Sequence, residues 1–251
     1  MSLILEEMHG TVLVLTLNRP DRLNAVVPEL FEELSDVLTR SAGKAGAIVL
    51  TGAGRGFCVG GDIRAPKSDY APSSRRMRRY FHPVIMQFDA LDIPFIAAVN
   101  GPALGAGLSL AAAADMRVAS ENAMFSAGFA AVGLSPDNGG SYHLVRALGY
   151  TRAYELLLGG GRLDAAQARE WGLVNEVVPA AELLTHAVAL AARLAALPGV
   201  SGQVTKRLLK AAHRHALAEQ LELESRAFDE TSGHPGRASA KSAMSDRISS
   251  R

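Results

Sequence analysis

The 251 residues are 48% hydrophobic and 20% charged, a composition that excludes disordered, collagen-like and disulfide-built chains and leaves room for one or two domains with a sizeable core. Lys and Arg number 26 against 25 Asp and Glu, a formal charge of +1, so no global field draws the chain to nucleic acid or to an anionic membrane. The single cysteine, Cys58, has no partner for an internal disulfide, Met1 to Glu7 lacks the order of a signal peptide, and no apolar run approaches the roughly 20 residues of a membrane span, so a cytoplasmic protein is expected.

In chain order, Thr11 to Leu17 reads as a strand stopped by Asn18-Arg19-Pro20-Asp21, a turn composition. Pro28 suits a first helical turn, and Leu30, Phe31, Leu34, Val37 and Leu38 recur at helical spacing, which predicts an amphipathic helix over 28–41. Ala47 to Thr51 is a second buried strand. A helix is predicted from Ser73 to Leu91, after a loop over Tyr70 to Ser74 and before Pro94. Phe95 to Val99 is a third buried strand, followed by a glycine loop and a helix of small residues over 106–114. Short strands are expected at Met116 to Ala119 and Met124 to Ser126. Beyond Gly139 the pattern is helical, over 144–148, 152–158, 164–171, 180–196, 204–215 and 217–231. The tail from Gly233 is polar and rich in small residues, to be disordered or ordered by a partner subunit.

Two glycine loops follow buried strands. Gly52-Ala53-Gly54-Arg55-Gly56-Phe57 is a poor dinucleotide fingerprint, because Phe57 stands where the third glycine belongs and no helix follows. The Lys-Ser/Thr pair of a phosphate loop is missing as well. Another use of such loops is to present unbonded backbone N–H groups to a developing negative charge. Tight turns alone are the alternative.

Leu17 to Ala25 (Leu-Asn-Arg-Pro-Asp-Arg-Leu-Asn-Ala), Gly52 to Ile63, Val99 to Asp115, Gly133 to Gly140 and Trp171 to Val174 together resemble the enoyl-CoA hydratase/isomerase (crotonase) superfamily over about residues 12–179. The resemblance implies an α/β fold, the ClpP/crotonase spiral of ββα units, with a core over 1–195 and a C-terminal helical trimerisation region over 196–251. It also implies acyl-CoA thioester substrates, a homotrimer or dimer of trimers, no metal, and no cofactor beyond the coenzyme A of the substrate. The family's two oxyanion donors fall on the backbone of Gly61 and Ala106.

The glutamates that activate water in the hydratases fall on Ser109 and Phe129, neither a carboxylate, and Phe129 makes that wall of the pocket apolar. Asp137 stands where isomerase-type members, including ring 1,2-epoxyphenylacetyl-CoA isomerases, carry their acid/base. Facing an apolar wall, its pKa should be raised. The alternative is that Asp137 caps the helix starting near Gly139. By analogy, Arg22, Leu23, Val59, Gly61, Asp62 and Ile63 line the path of coenzyme A, and Arg64 could meet a phosphate. His82 is placed on a helix bordering the acyl pocket.

The run Arg75-Arg76-Met77-Arg78-Arg79 wraps round a helix and reads as a solvated face, with one or two guanidiniums reaching phosphate as the other option. Cys58 reads as a packed thiol, Asp115 as a corner hydrogen bond, and His143, His213 and His215 show no metal spacing. The leading expectation is an enoyl-CoA isomerase. A hydratase using Asp137 and a water, a non-catalytic acyl-CoA binder and a nucleic-acid-binding member of the fold are the alternatives.

Overall fold

The computed structural model describes residues 2–41, 43–62, 64, 73–198, 200–237 and 240–242. Strand β1 (Ile4–His9) runs antiparallel to β2 (Val12–Leu17) through a hairpin at Gly10. Helix α1 (Pro28–Ser41) buries the five apolar residues that its spacing selects, and β3 (Ala47–Gly52), β4 (Phe95–Val99), β6 (Met116–Ser120) and β9 (Glu176–Val178) join parallel to β2. The sheet order is β1-β2-β3-β4-β6-β9.

A second sheet is made of β5 (Pro102–Leu104), β7 (Met124–Ser126) and β8 (Leu163–Asp164), with Cys58 bridged in parallel to Ala103. From β3 onward, each turn of the chain leaves the large sheet, bends sharply, adds a short extended segment to the small one and returns through a helix. Cys58, β5 and β7 are three successive steps of that spiral.

Both faces of the large sheet are covered, which is why its strands read as unbroken apolar runs. With the two-residue period of a strand, Leu13, Leu15, Leu17, Ile48 and Leu50 enter the main core, while Val12, Val14, Val49, Ile96 and Ala98 meet Leu183, Ala187 and Leu190 of α7 (Leu183–Ala195).

Three expectations are corrected. Strand β1 was missed because it is an edge strand of which only Ile4 is buried, so its sequence carries no apolar alternation. The helix predicted over 73–91 is broken: α2 (Ser73–Arg76) passes into a π-helical turn (Met77–Phe81) before α3 (His82–Ala90). Pro83 explains the break, because its ring cannot sit against the carbonyl four residues back in an ordinary turn. Helix α5 (Gly140–Leu158) spans both segments expected there and kinks between them at Gly149, where φ is 73° and ψ 168°. The part of the predicted loop from Tyr70 to Pro72 lies outside the described residues, as does most of the tail.

Helix α4 (Ala106–Ala112) is wholly buried, α6 (Ala165–Glu170) is capped by Asp164, and α8 (Ser201–Ala211) and α9 (Leu217–Ser232) form the C-terminal arm. The arm is held by charge more than by apolar burial. Val204 is the one buried side chain of α8 among the described residues, and α9 has none. Lys206 donates to Ile93 O at 2.6 Å and Asp115 at 2.5 Å, Lys210 to Asp89 O and Leu91 O, and Arg214 pairs with Asp89 at 3.0 Å. Lys210 fastens α8 to carbonyls at the end of α3, where a helix offers unbonded acceptors, while Lys206 ties it to Ile93 and Asp115 and Arg214, just past α8, adds the ion pair to Asp89. No helix among the described residues is long and apolar enough to cross a membrane.

Candidate active site

Three loops converge at one end of α4. The first leaves β3 and is shaped by asparagines. Asn24, fully buried, donates to Ala53 O at 3.0 Å and Gly56 O at 2.7 Å, and accepts from the Arg19 N–H at 2.8 Å. Asn100 holds the same loop from the opposite side, donating to Gly52 O at 2.9 Å and Gly54 O at 3.0 Å. Arg19 then reaches Asp62 at 2.9 Å and the Ala25 carbonyl. Burial would raise the Asp62 carboxyl, but the hydrogen bonds from Arg19 and the Arg64 N–H, with the charges of Arg19 and Arg22, hold it below the usual range.

This framework aims the Gly61 N–H. Val26 N donates to Gly60 O at 2.8 Å, and Asp62 N donates to Val26 O at 3.2 Å. The groups on either side of Gly61 thus face Val26, so its own N–H faces away. No acceptor takes that N–H among the described residues.

The second loop supplies Ala106, the first residue of α4, 3% exposed, with Gly105 as N-cap. The first intrahelical bond is from Ser109 N to Gly105 O at 3.1 Å, so the Ala106 N–H also lacks an acceptor among the described residues. Two glycines allow the loops to meet. A Cβ on Gly60, whose φ is 86°, would stand 3.2 Å from Ala106 N, and one on Gly107 would stand 1.9 Å from the Cys58 carbonyl oxygen. The two donors, without an acceptor among the described residues, therefore lie on touching segments.

The third loop brings Asp137. A Cβ on Gly140 would lie 2.5 Å from Ser109 Oγ, so the start of α5 is seated directly on α4. The charge of Asp137 is felt at Cys58 of the first loop. Burial pushes Asp137 up to about 6, against the pull of the Asn138 amide and its own N–H, and no charged group among the described residues is a cause of that shift. The capping alternative fails: the N-cap of α5 is Gly139 and no side chain caps it. Asp137 contributes only its backbone carbonyl there, accepting from Gly140 N at 2.8 Å.

Ser109 and Phe129 are both buried at the site. The serine hydroxyl donates back to Gly105 O at 3.5 Å, and the Phe129 ring lies 3.8 Å from the Cβ position of Gly105. Burial, with the nearby Asp137 charge, pushes the Cys58 thiol up to about 12, so it is the packed thiol expected. Leu23 accepts from Val59 N at 3.2 Å, exposed Arg22 lends charge to buried Asp62, and Arg64 N donates to Asp62 at 3.0 Å, so the segments carrying Arg22, Leu23, Val59, Gly61, Asp62 and Arg64 are joined. Ile63 lies outside the described residues. His82 is exposed at the start of α3, and the residue of that helix that meets the Asp137 loop is Ile85, 3.5 Å from the Cβ position of Gly139.

Arg75, Arg78 and Arg79 are exposed round their helix, while Arg76 lies 5.9 Å from the Phe81 ring centroid. Asp115 makes its expected corner bond, accepting from Phe95 N at 2.8 Å. A cavity of about 500 Å³ opens at the far end of α4, walled by Asp115, Tyr142, His143, Arg146, Lys206 and Lys210 among others. None of Gly61, Ala106 and Asp137 lines it, so it is separate from the converging loops.

Arg19, Asn24 and Asn100 are the residues that sequence reasoning did not single out. Their signal was present: asparagines flanking glycine turns commonly bond nearby backbone.

The family model described as Enoyl-CoA hydratase/isomerase matches residues 7–244. The 1,2-epoxyphenylacetyl-CoA isomerase of Escherichia coli K12 is 37% identical over 233 residues, 89% of this chain and 88% of the relative. An enoyl-CoA hydratase structure from Bacillus anthracis superposes with a TM-score of 0.92 at 29% identity, covering 98% of this chain and 97% of that one. A Thermobifida fusca structure in complex with acetoacetyl-CoA gives 0.84 at 34% identity, over 91% and 94%. Fold, loops and relatives agree that this chain belongs to the enoyl-CoA hydratase/isomerase (crotonase) superfamily.

Proposed function

We propose that this chain is an enoyl-CoA isomerase that moves a double bond along an acyl-CoA thioester, with Gly61 and Ala106 as oxyanion donors and Asp137 as the single acid/base. The observation that carries this reading is one raised carboxyl, Asp137, just before the start of α5 that is seated on α4, the helix whose first N–H, like that of Gly61, has no acceptor among the described residues, with Ser109 and Phe129 in place of further carboxylates. In a 3-enoyl thioester, Asp137 takes a proton from carbon 2, and the electron pair is shared as a dienolate, onto the thioester oxygen through the carbonyl on one side and onto carbon 4 through the double bond on the other. The two N–H groups stabilise that oxygen, and the Ala106 donor adds the field of the α4 N-terminus. Protonated Asp137 returns the proton to carbon 4, leaving a conjugated 2-enoyl thioester. A carboxyl with pKa near 6 is suited to both halves of the exchange.

A 1,3-proton shift needs no second acid and no water, and the reading requires no cofactor beyond the coenzyme A of the substrate. Arg22 and Arg64 stand where they could meet its phosphates, on an otherwise balanced surface. Homotrimeric assembly belongs to the same reading, supported by Leu217, Leu221 and Phe228, which are exposed at helical spacing along α9. Hydration through Asp137 and a water is the second reading, favoured by relatives that carry the hydratase name.

The test is the purified protein with two substrates in separate assays. A 3-enoyl-CoA should become the 2-enoyl isomer, and a 2-enoyl-CoA should yield at most about one hundredth as much 3-hydroxyacyl-CoA in the same time. Hydration as fast as isomerisation would replace the isomerase reading with the hydratase one.

A further inference from the structure

Asn138 follows Asp137 directly and is 3% exposed, with its backbone in the left-handed region at φ 49°. Its amide nitrogen donates to Asp137 Oδ1 at 3.2 Å. Its amide oxygen is buried and has no hydrogen-bond partner among the described residues. A residue needed only to turn the chain would not have to bury an amide with one end on a carboxyl and the other end unbonded, since buried polar groups are costly to leave unpaired.

Resting on the reading of Asp137 as the proton shuttle, we propose that Asn138 is a positioning residue that holds the Asp137 carboxyl in place in both of its protonation states. With Asp137 ionised, the amide N–H occupies Oδ1 and leaves Oδ2 as the free basic oxygen to take the proton from carbon 2. With the proton on Oδ2, Oδ1 keeps its carbonyl character and still accepts the same N–H. If the acid instead presents its O–H on the Oδ1 side, the amide turns over and accepts through its own oxygen. That turn breaks no other bond, because the oxygen has none among the described residues. A cation here would hold only the carboxylate and pull its pKa down, and a second carboxylate would repel it; a neutral amide serves both forms.

Among the described residues, Cys58 and His143 are the titratable neighbours with shifted pKa values, and both are moved out of the working range. Cys58 of the first loop is held up at about 12, and His143 of α5, beside Gly139, is pushed down to about 4 by burial, while Ile85 of α3 is apolar. The charges near His143 are Asp89, Arg117, Arg146 and Lys210, and none of them acts on Asp137.

Asn138→Gly suits the left-handed backbone and removes both ends of the amide, and Asn138→Asp keeps the shape while replacing the amide with a carboxyl. Isomerisation of a 3-enoyl-CoA is followed for both across pH 4 to 9, after circular dichroism and coenzyme A binding show that each folds. For Asn138→Gly, kcat should fall about tenfold with KM within about twofold, and the ascending limb of its pH profile should move up by about one pH unit, the excess of a hydrogen bond to the carboxylate over the same bond to the neutral acid. For Asn138→Asp the limb should move further, because two adjacent carboxyls resist sharing charge. A limb that stays in place in both variants, or a change confined to KM, overturns the proposal; if only one variant folds, its limb decides. Asp137→Asn in the same assay separates the two failures. If that variant keeps full activity, the reading of Asp137 is at fault; if it is inactive while the limb of the Asn138 variants is unmoved, only the role of Asn138 falls.

Discussion

Replacing Ala106 by proline is expected to cost about 10²–10³-fold in kcat, the usual consequence of losing one oxyanion donor. Position 106 is the first residue of α4, and there proline is tolerated: the N–H has no intrahelical acceptor and the fixed φ suits a helix start. The preceding residue, Gly105, has no Cβ to clash with the proline ring. The substitution therefore removes the hydrogen-bond donor and spares the helix. Ala106→Ser keeps the N–H and should stay within severalfold of the parent. Steady-state kinetics on a 3-enoyl-CoA, with coenzyme A binding as a control for the pocket, checks both. Equal activity of the proline variant would remove Ala106 from the oxyanion hole.

Asp137→Asn should lower kcat by about 10²–10⁴-fold, the range for removing a general acid/base. It should also stabilise the protein. The folded value of about 6 lies above the ordinary 3.8, so between those values the folded chain binds more protons than the unfolded one. Stability therefore falls as pH rises through this window, and the full penalty is present above it. A shift of this size corresponds to about 3 kcal/mol, which partial exposure reduces to about 2 kcal/mol. Asparagine carries no charge and escapes the penalty. Denaturant melts at pH 8 should find the variant more stable by about that amount, and melts near pH 4 should find the two proteins alike. A pH-independent difference would show that Asp137 is not held in its raised state by the fold.

Much of this fold was legible because its elements are locally consistent. The amphipathic helix over 28–41 has its boundaries where Pro28 and the apolar spacing place them, and the buried strands at Ala47 and Phe95 are bracketed by turn residues. The exceptions have local causes. Ile4 to His9 pairs with only one neighbour and so needs no apolar alternation, while the π turn before Pro83 depends on backbone sterics that an apolar count does not register. The glycine loops announced close backbone approach, but not what approached. The contact of Gly107 with the Cys58 carbonyl joins segments about fifty residues apart, as does the bond from Asn100 to the Gly52 loop. Asp137 was visible through family resemblance; its burial, and the orphaned amide beside it, came only from the packing of α5 on α4.

The most direct measurement is exchange of the carbon 2 proton of a saturated acyl-CoA into D2O, read by NMR for the parent protein and Asp137→Asn. It isolates the step on which the account depends, deprotonation by Asp137 against an oxyanion held by Gly61 and Ala106, without requiring a double bond to move. The parent should exchange that proton at a rate that rises with pH through about 6, and Asp137→Asn should not exchange it above the uncatalysed background. Exchange by the variant at the parental rate would contradict the account.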